Sequence, residues 1–212
     1  MYTEIVLIII ITCLVVQILF KKDNRIEWES FNGKKYFIKN SNDKDINQKK
    51  ADILGRLDDK SHKIVNYMHD NKVPSPNIAN RTHRRFNSSS ISEVPDGDKS
   101  AAYTVNKGNV YICLITNNKF NNENDSYFVI LHELAHVMSK TYGHGEEFQR
   151  HFNFIVKLAV QLNLWTDPKY ENRNIDYCGV TITTSPCSGG NCDDIELDEF
   201  YNEKLIEDKI DN

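Results

Sequence analysis

The chain predicts an α+β fold behind an N-terminal membrane-spanning helix, and three observations carry that prediction. Two runs rich in β-branched and aromatic residues, 100-SAAYTVN-106 and 109-NVYICLI-115, flank a short turn containing Lys107 and Gly108, the pattern of an antiparallel hairpin. Two later segments, 126–140 and 146–164, repeat apolar residues at helical spacing. Near the start, 5-IVLIIIITCLVVQILF-20 carries no charge at all.

That first run spans about 24 Å as a helix, close to the ~30 Å of a hydrocarbon core once Tyr2 and Thr3 are added. A cleaved leader needs basic residues before the run and small residues after it. Here Glu4 precedes and Phe20, Lys21 and Lys22 follow, so residues 1–22 read as an uncleaved single-pass anchor in a lipid bilayer. The positive bias of Lys21, Lys22, Arg25, Lys34 and Lys35 puts the following domain on the cytoplasmic side. An odd cysteine count (Cys13, Cys113, Cys178, Cys187, Cys192) reads as reduced thiols, in keeping with that side. Cys178, Cys187 and Cys192 lack a fourth metal ligand at a familiar spacing.

The remaining composition, 40% hydrophobic and 26% charged, is that of one globular domain with appendages. A net charge of -4 and the lack of a basic stripe give no sign of a nucleic-acid partner. Residues 23–47 read as a polar tether with a short strand at 35–39. A helix over 48–71 follows, with Ile53, Leu57, Ile64 and Met68 on one stripe; His62 and His69 on it read as solvated. The prolines of 73-VPSP-76 end it, and 77–99 reads as irregular. After the hairpin and a loop, Asn124 or Asp125 is placed to cap the helix over 126–140. Gly143-His144-Gly145 separates it from the helix over 146–164, and 175-IDYCGVTIT-183 reads as a strand or extended cover. The domain is thus expected over 48–186, with 187–212 an acidic, disordered tail.

Within the first of the paired helices, 132-HELAH-136 sets His132 and His136 four residues apart, one turn above each other on one face. Both imidazoles can then reach one metal ion, with Glu133 rotated beside it as a proton acceptor for metal-activated water. Two histidines and a glutamate amid Phe128, Ile130, Leu131, Leu134 and Val137 would cost several kcal/mol to bury without a shared partner. Catalytic zinc generally takes three protein ligands, and His144, freed to turn back by its flanking glycines, is the third candidate. Glu146 and Glu147 are its competitors, though both also suit the start of the next helix.

The spelling 132-HELAH-136 followed by 144-HGEEF-148 resembles zinc metallopeptidases of the WLM and SprT-like type, over about residues 100–186. It is also similar to WLM-like proteins of large eukaryotic DNA viruses, whose asparagine- and isoleucine-rich composition this chain shares. The gap between His136 and His144 differs from the tighter metzincin spacing, and no methionine turn is present. The resemblance implies a small zincin-like domain with the hairpin packed on the HExxH helix and a second long helix. It implies one Zn²⁺ on His132, His136 and His144, Glu133 as general base, and Phe148 packed behind the third ligand. The expected activity is that of a membrane-anchored zinc-dependent peptidase acting on protein or peptide substrates. Strand 109–115 (Val110, Tyr111, Ile112, Cys113) is the expected substrate shelf, its edge pairing with an extended peptide. Tyr142, His151 and Tyr177 are the candidates for stabilising an oxyanion. The alternatives are a catalytically silent, metal-stabilised membrane or virion component, and an interaction module working through the acidic tail.

Overall fold

A computed structural model describes residues 23–87 and 90–188, together with Leu7. It begins with a hairpin, not a tether. Strands β1 (Arg25–Glu29) and β2 (Lys35–Lys39) pair antiparallel, with Trp28 opposite Tyr36 and Ile26 opposite Ile38. The alternation in 35-KYFIK-39 buries Tyr36 and Ile38 and leaves the lysines outside. Its partner strand, 25-RIEWE-29, is too charged to announce itself, and it pairs because the second strand supplies the buried face.

Asp43 caps helix α1 (Lys44–Asn71) by accepting the N–H groups of Asp45 and Ile46. Its stripe of Ile53, Leu54, Leu57, Ile64, Val65 and Met68 is buried. The β1–β2 turn settles on this helix at Gly55, where a Cβ would stand 2.3 Å from Ser30 Oγ. Only a glycine admits that approach.

The segment expected to be irregular instead forms helix α2 (Pro76–Asn87) and strand β3 (Ile91–Glu93). Pro76 opens the helix at the position where its missing donor costs nothing, and Ser75 Oγ accepts the Ile78 N–H. Only Ile78, Ala79, Thr82 and Phe86 are buried, so the apolar signal is thin among arginines and asparagines. Strands β4 (Ala102–Val105) and β5 (Asn109–Ile112) form the expected antiparallel hairpin, and β3 adds to β5 in parallel. The sheet order β3-β5-β4 makes β5 central and β4 an edge.

A small ribbon, β6 (Ile115–Thr116) and β7 (Lys119–Phe120), leads into helix α3 (Glu123–Met138). Its cap is Asn122, whose side chain accepts from Asn124 and Asp125, so the two expected caps lie inside the first turn. Helix α4 (Glu146–Gln161) packs against α3, and a last hairpin, β8 (Ile175–Tyr177) and β9 (Val180–Ile182), follows. The core lies between the helices and the sheet, with Tyr127, Phe148, Phe154, Tyr170 and Tyr177 its largest fully buried members.

Three expectations are corrected. The single-pass anchor at residues 5–20 lies, Leu7 apart, outside the described residues, and among the described residues no helix is long and apolar enough to cross a membrane. The fold class is therefore an α+β domain of four helices and small sheets, and the membrane location falls with the spanning helix. The reduced-thiol expectation also fails. Cys113 and Cys178, 65 residues apart, form a disulfide with Cα atoms 6.4 Å apart, within the range a bridge requires, and Cys187 is disulfide-bonded as well. Counting cysteines could not pair them; only the fold brings the end of β5 beside the β8–β9 turn. The acidic tail from 189 onward lies outside the described residues.

Candidate metal centre

Helix α3 carries His132, Glu133 and His136 on consecutive turns, and the loop 139–145 swings His144 back over them. Gly143 makes the turn at φ 81°. The Nε2 atom of His144 lies 3.0 Å from that of His132 and 3.2 Å from that of His136. All three donor nitrogens lie within 4.8 Å of one another. Imidazoles on one tetrahedral zinc, each at ~2.0–2.1 Å, hold their nitrogens about 3.3 Å apart. The donor set therefore fits a single zinc ion in both chemistry and spacing.

The histidines stand on an aromatic floor. The Phe148 ring lies 4.8 Å from His132, 4.4 Å from His136 and 4.7 Å from His144, centroid to centroid, and is itself buried. This environment keeps the His132 and His136 rings neutral, the form that binds metal. Burial pulls His132 down to about 3, aided by His136 and His144. It pulls His136 down to about 4, aided by His144 and Lys107.

The carboxylates that competed for the third position serve elsewhere. Glu147 accepts the backbone N–H groups of Lys140 and Thr141 at 2.7 and 2.9 Å, and the Thr141 hydroxyl at 2.6 Å. Burial opposes its ionisation, but those donors win and hold it down to about 2. Glu147 thus shapes the loop that presents His144. The Glu146 side chain is almost wholly exposed, 4.0 Å from Arg150.

The C-terminal end of α3 is fixed from behind. Arg81 donates to the Met138 carbonyl, and Arg85 to those of Val137 and Ser139, neutralising the helix terminus just before the loop. His151, buried and pulled down to about 4 by that burial, faces Ser139 Oγ at 2.9 Å, and Ser139 in turn donates to the Ala135 carbonyl. His151 is thus engaged with the end of α3 and lines neither recess beside the histidines. The Tyr177 hydroxyl is also committed, donating to the Cys113 carbonyl at 2.7 Å. Of the three oxyanion candidates, Tyr142 and Tyr177 both line recesses beside the histidines, Tyr142 as an exposed side chain and Tyr177 as a buried one.

Glu133 is buried, and the Thr104 hydroxyl donates to its Oε2 at 2.7 Å. Among the described residues no basic side chain pairs with it. Burial raises its carboxyl to about 7, against the lowering effect of the Thr104 bond. A carboxylate poised near neutrality beside three converging histidines can accept and return a proton.

The cleft runs along β4. One recess of about 310 Å³ is lined by Thr104, Lys107, Tyr142 and the histidines. A second, also about 310 Å³, is lined by Ala102, Phe128, Val129, Tyr177, Val180 and Ile182, with His132 and Glu133 at the junction. The expected shelf is corrected accordingly. Val110 and Ile112 are fully buried in the central strand β5, Tyr111 stacks on Tyr103 at 4.8 Å, and Cys113 is disulfide-bonded. Strand β3 occupies the edge that β5 was expected to offer. The outer strand on the other side is β4, which borders the cleft through Ala102, Tyr103 and Thr104. The run of β-branched and aromatic residues over 100–106 was visible in the sequence; which hairpin strand lies outermost was not.

No known protein family matches the chain, and no solved structure matches it. It is 31% identical over 90 residues to the uncharacterized protein 136R of Invertebrate iridescent virus 6, spanning 41% of this chain and 48% of that protein. It is 30% identical over 156 residues to the uncharacterized protein R325 of Acanthamoeba polyphaga mimivirus, spanning 70% of this chain and 77% of the other. The chain therefore belongs to the protein family that includes R325 of this mimivirus.

Proposed function

We propose that the chain is a zinc-dependent peptidase of the WLM and SprT-like kind. One observation carries the reading: three imidazole nitrogens converge at zinc-ligand spacing beside a buried carboxylate that has no cationic partner among the described residues. His132, His136 and His144 would hold the ion, which when bound supplies Lewis-acid activation of water and of a carbonyl. The chain's own groups supply the rest. An extended polypeptide adds to the edge of β4 through backbone hydrogen bonds, which sets its scissile bond across His132 and Glu133. Thr104 engages Oε2 of Glu133, so Oε1 receives the proton of the attacking water and returns it to the leaving amine. Phe148 and Phe128 keep bulk water from the underside of the site.

The same three histidines also tie the loop 139–145 to α3, which supports a second reading in which an ion only staples the two together. Metal analysis and cleavage of an unstructured protein separate the two. The parent chain is expected to bind one zinc per molecule and to cleave. His144→Ala loses the metal, and Glu133→Gln keeps it but loses cleavage. Equal cleavage by Glu133→Gln and parent overturns the peptidase assignment, and a parent that binds no zinc overturns both readings.

A further inference from the structure

We propose that Lys107 is a positioning residue for the metal centre: its ammonium clasps the loop 139–145 to the β4–β5 turn and so holds His144 over His132 and His136. The inference rests on the metal reading above and goes beyond it by naming what keeps the third imidazole in place. The loop is not held by packing. Residues 140–145 are all exposed, and a Cβ added at Gly143 or Gly145 would meet nothing within 4 Å. Even the Tyr142 side chain stands in water. A segment that buries so little opens easily unless its backbone is tied.

The ties come from three directions. Arg85 on α2 donates to the Ser139 carbonyl, where the loop leaves α3. On α4, Glu147 accepts the Lys140 and Thr141 N–H groups, and Gln149 donates to the His144 carbonyl at 3.2 Å. Both belong to the helix that the loop runs into, so they travel with it. Lys107 supplies the tie from the sheet. Its Nζ donates to the Thr141 carbonyl, 34 residues away in the chain, and lies 4.4 Å from the centre of the Tyr142 ring.

The backbone beneath Lys107 is the second observation. The Gly108 N–H donates to the Val105 carbonyl and closes a turn with Asn106 at φ 54° and Lys107 at φ 56°. A hairpin turn with both central residues left-handed accepts asparagine at the first and favours glycine at the second. Lysine there sits in a backbone form that its side chain disfavours, and closing the turn does not call for it. That backbone carries the side chain to the cleft, which Lys107 lines with Thr104, Tyr142 and the histidines. The clasp thereby joins the strand bordering the cleft to the segment that carries the third imidazole.

Three measurements on the full chain test the clasp. They are zinc affinity by competition with a chromophoric chelator, amide hydrogen exchange of residues 140–145, and the denaturation midpoint of the metal-free protein. Lys107→Gly removes the ammonium and relieves the turn. It should weaken zinc binding about tenfold or more, the factor that one charged hydrogen bond supplies. Exchange in the loop should quicken, while the denaturation midpoint holds or rises. Lys107→Arg keeps a cationic donor and should restore most of the affinity. Parent-level affinity and exchange in Lys107→Gly overturn the proposal. A midpoint that falls in step with the affinity also overturns it, because the residue then supports the fold at large. So does an arginine variant no better than the glycine one. A parent that binds no zinc removes the metal reading, and loop exchange then decides the clasp alone: faster in Lys107→Gly supports it, unchanged overturns it. Weaker zinc binding by Lys107→Gly, beside a parent that binds zinc and cleaves nothing, supports the clasp and removes the peptidase.

Discussion

Two buried glutamates at opposite edges of the small sheet show how this fold separates holding from a candidate site. Glu93, on β3, and Glu133, on α3, are both nearly inaccessible to water, and burial raises the carboxyl of each. Their partners differ. Glu93 lies 3.2 Å from the buried Lys50 ammonium and accepts the Lys39 N–H at 2.7 Å, while Lys50 also donates to the Lys39 carbonyl. It locks the first hairpin, the first helix and the sheet together. Glu133 has one hydroxyl donor and opens onto a cleft. A buried carboxylate with a full set of partners is structural; one left without a cation beside three converging imidazoles is where the proposed chemistry falls.

Replacing both residues sharpens the contrast. The largest expected effect on activity is that of Glu133→Gln, a loss of about 10²–10⁴-fold in kcat/KM on an unstructured protein substrate, the range for removing a positioned general base. Its folding stability should hold or rise, because the substitution removes a buried charge that has no counter-ion. Glu93→Ala should do the reverse. It strands the Lys50 ammonium and costs about 3–5 kcal/mol in chemical denaturation, with zinc binding retained wherever the chain still folds. Similar stability losses in both variants would erase the distinction.

The disulfide belongs to the holding side. Cys178→Ser opens a loop of 65 residues and should lower stability by about 2–4 kcal/mol in a denaturant titration under non-reducing conditions.

The metal-free protein makes a further comparison by pH. His132, His136 and His151 lie below the usual 6.5, at about 3, 4 and 4, so the unfolded chain binds more of their protons as pH falls. Their contribution is fully present above about 6.5 and is lost as pH drops toward 4. Glu133 works the other way. With its folded value raised to about 7, the native state holds the extra proton, and its contribution falls as pH rises from about 4.5 to 7. Denaturation midpoints between those limits should rise with pH for the parent, and more steeply for Glu133→Gln. A flat profile for both would show that the histidines are not buried as described.

The smallest expected effect is that of Thr104→Val. Loss of the hydroxyl that lowers the Glu133 carboxyl should move the acid limb of the pH–rate profile upward, with zinc content unchanged.

Much of the site was legible because helical geometry is local. Spacing alone places His132 above His136 and Glu133 beside them, and glycines on either side of His144 announce a turn. The β4–β5 hairpin and both helices that bracket the histidines were legible for the same reason. The first hairpin and helix α2 were not, because their charged residues outnumber the few that pack. Thr104 could not be read as a partner of Glu133, since 29 residues separate them.

The sequence by itself determined the chemistry on offer: which side chains share a helix face, where the chain turns, and that a third imidazole follows. The tertiary structure alone decided that Glu147 shapes the loop and leaves the position beside His132 and His136 to His144. It also decided that β4 and not β5 is the edge, and that Cys113 meets Cys178. Periodicity is set by bonds between near neighbours, whereas sheet order, disulfide pairing and cleft walls depend on contacts between distant segments that no local pattern encodes.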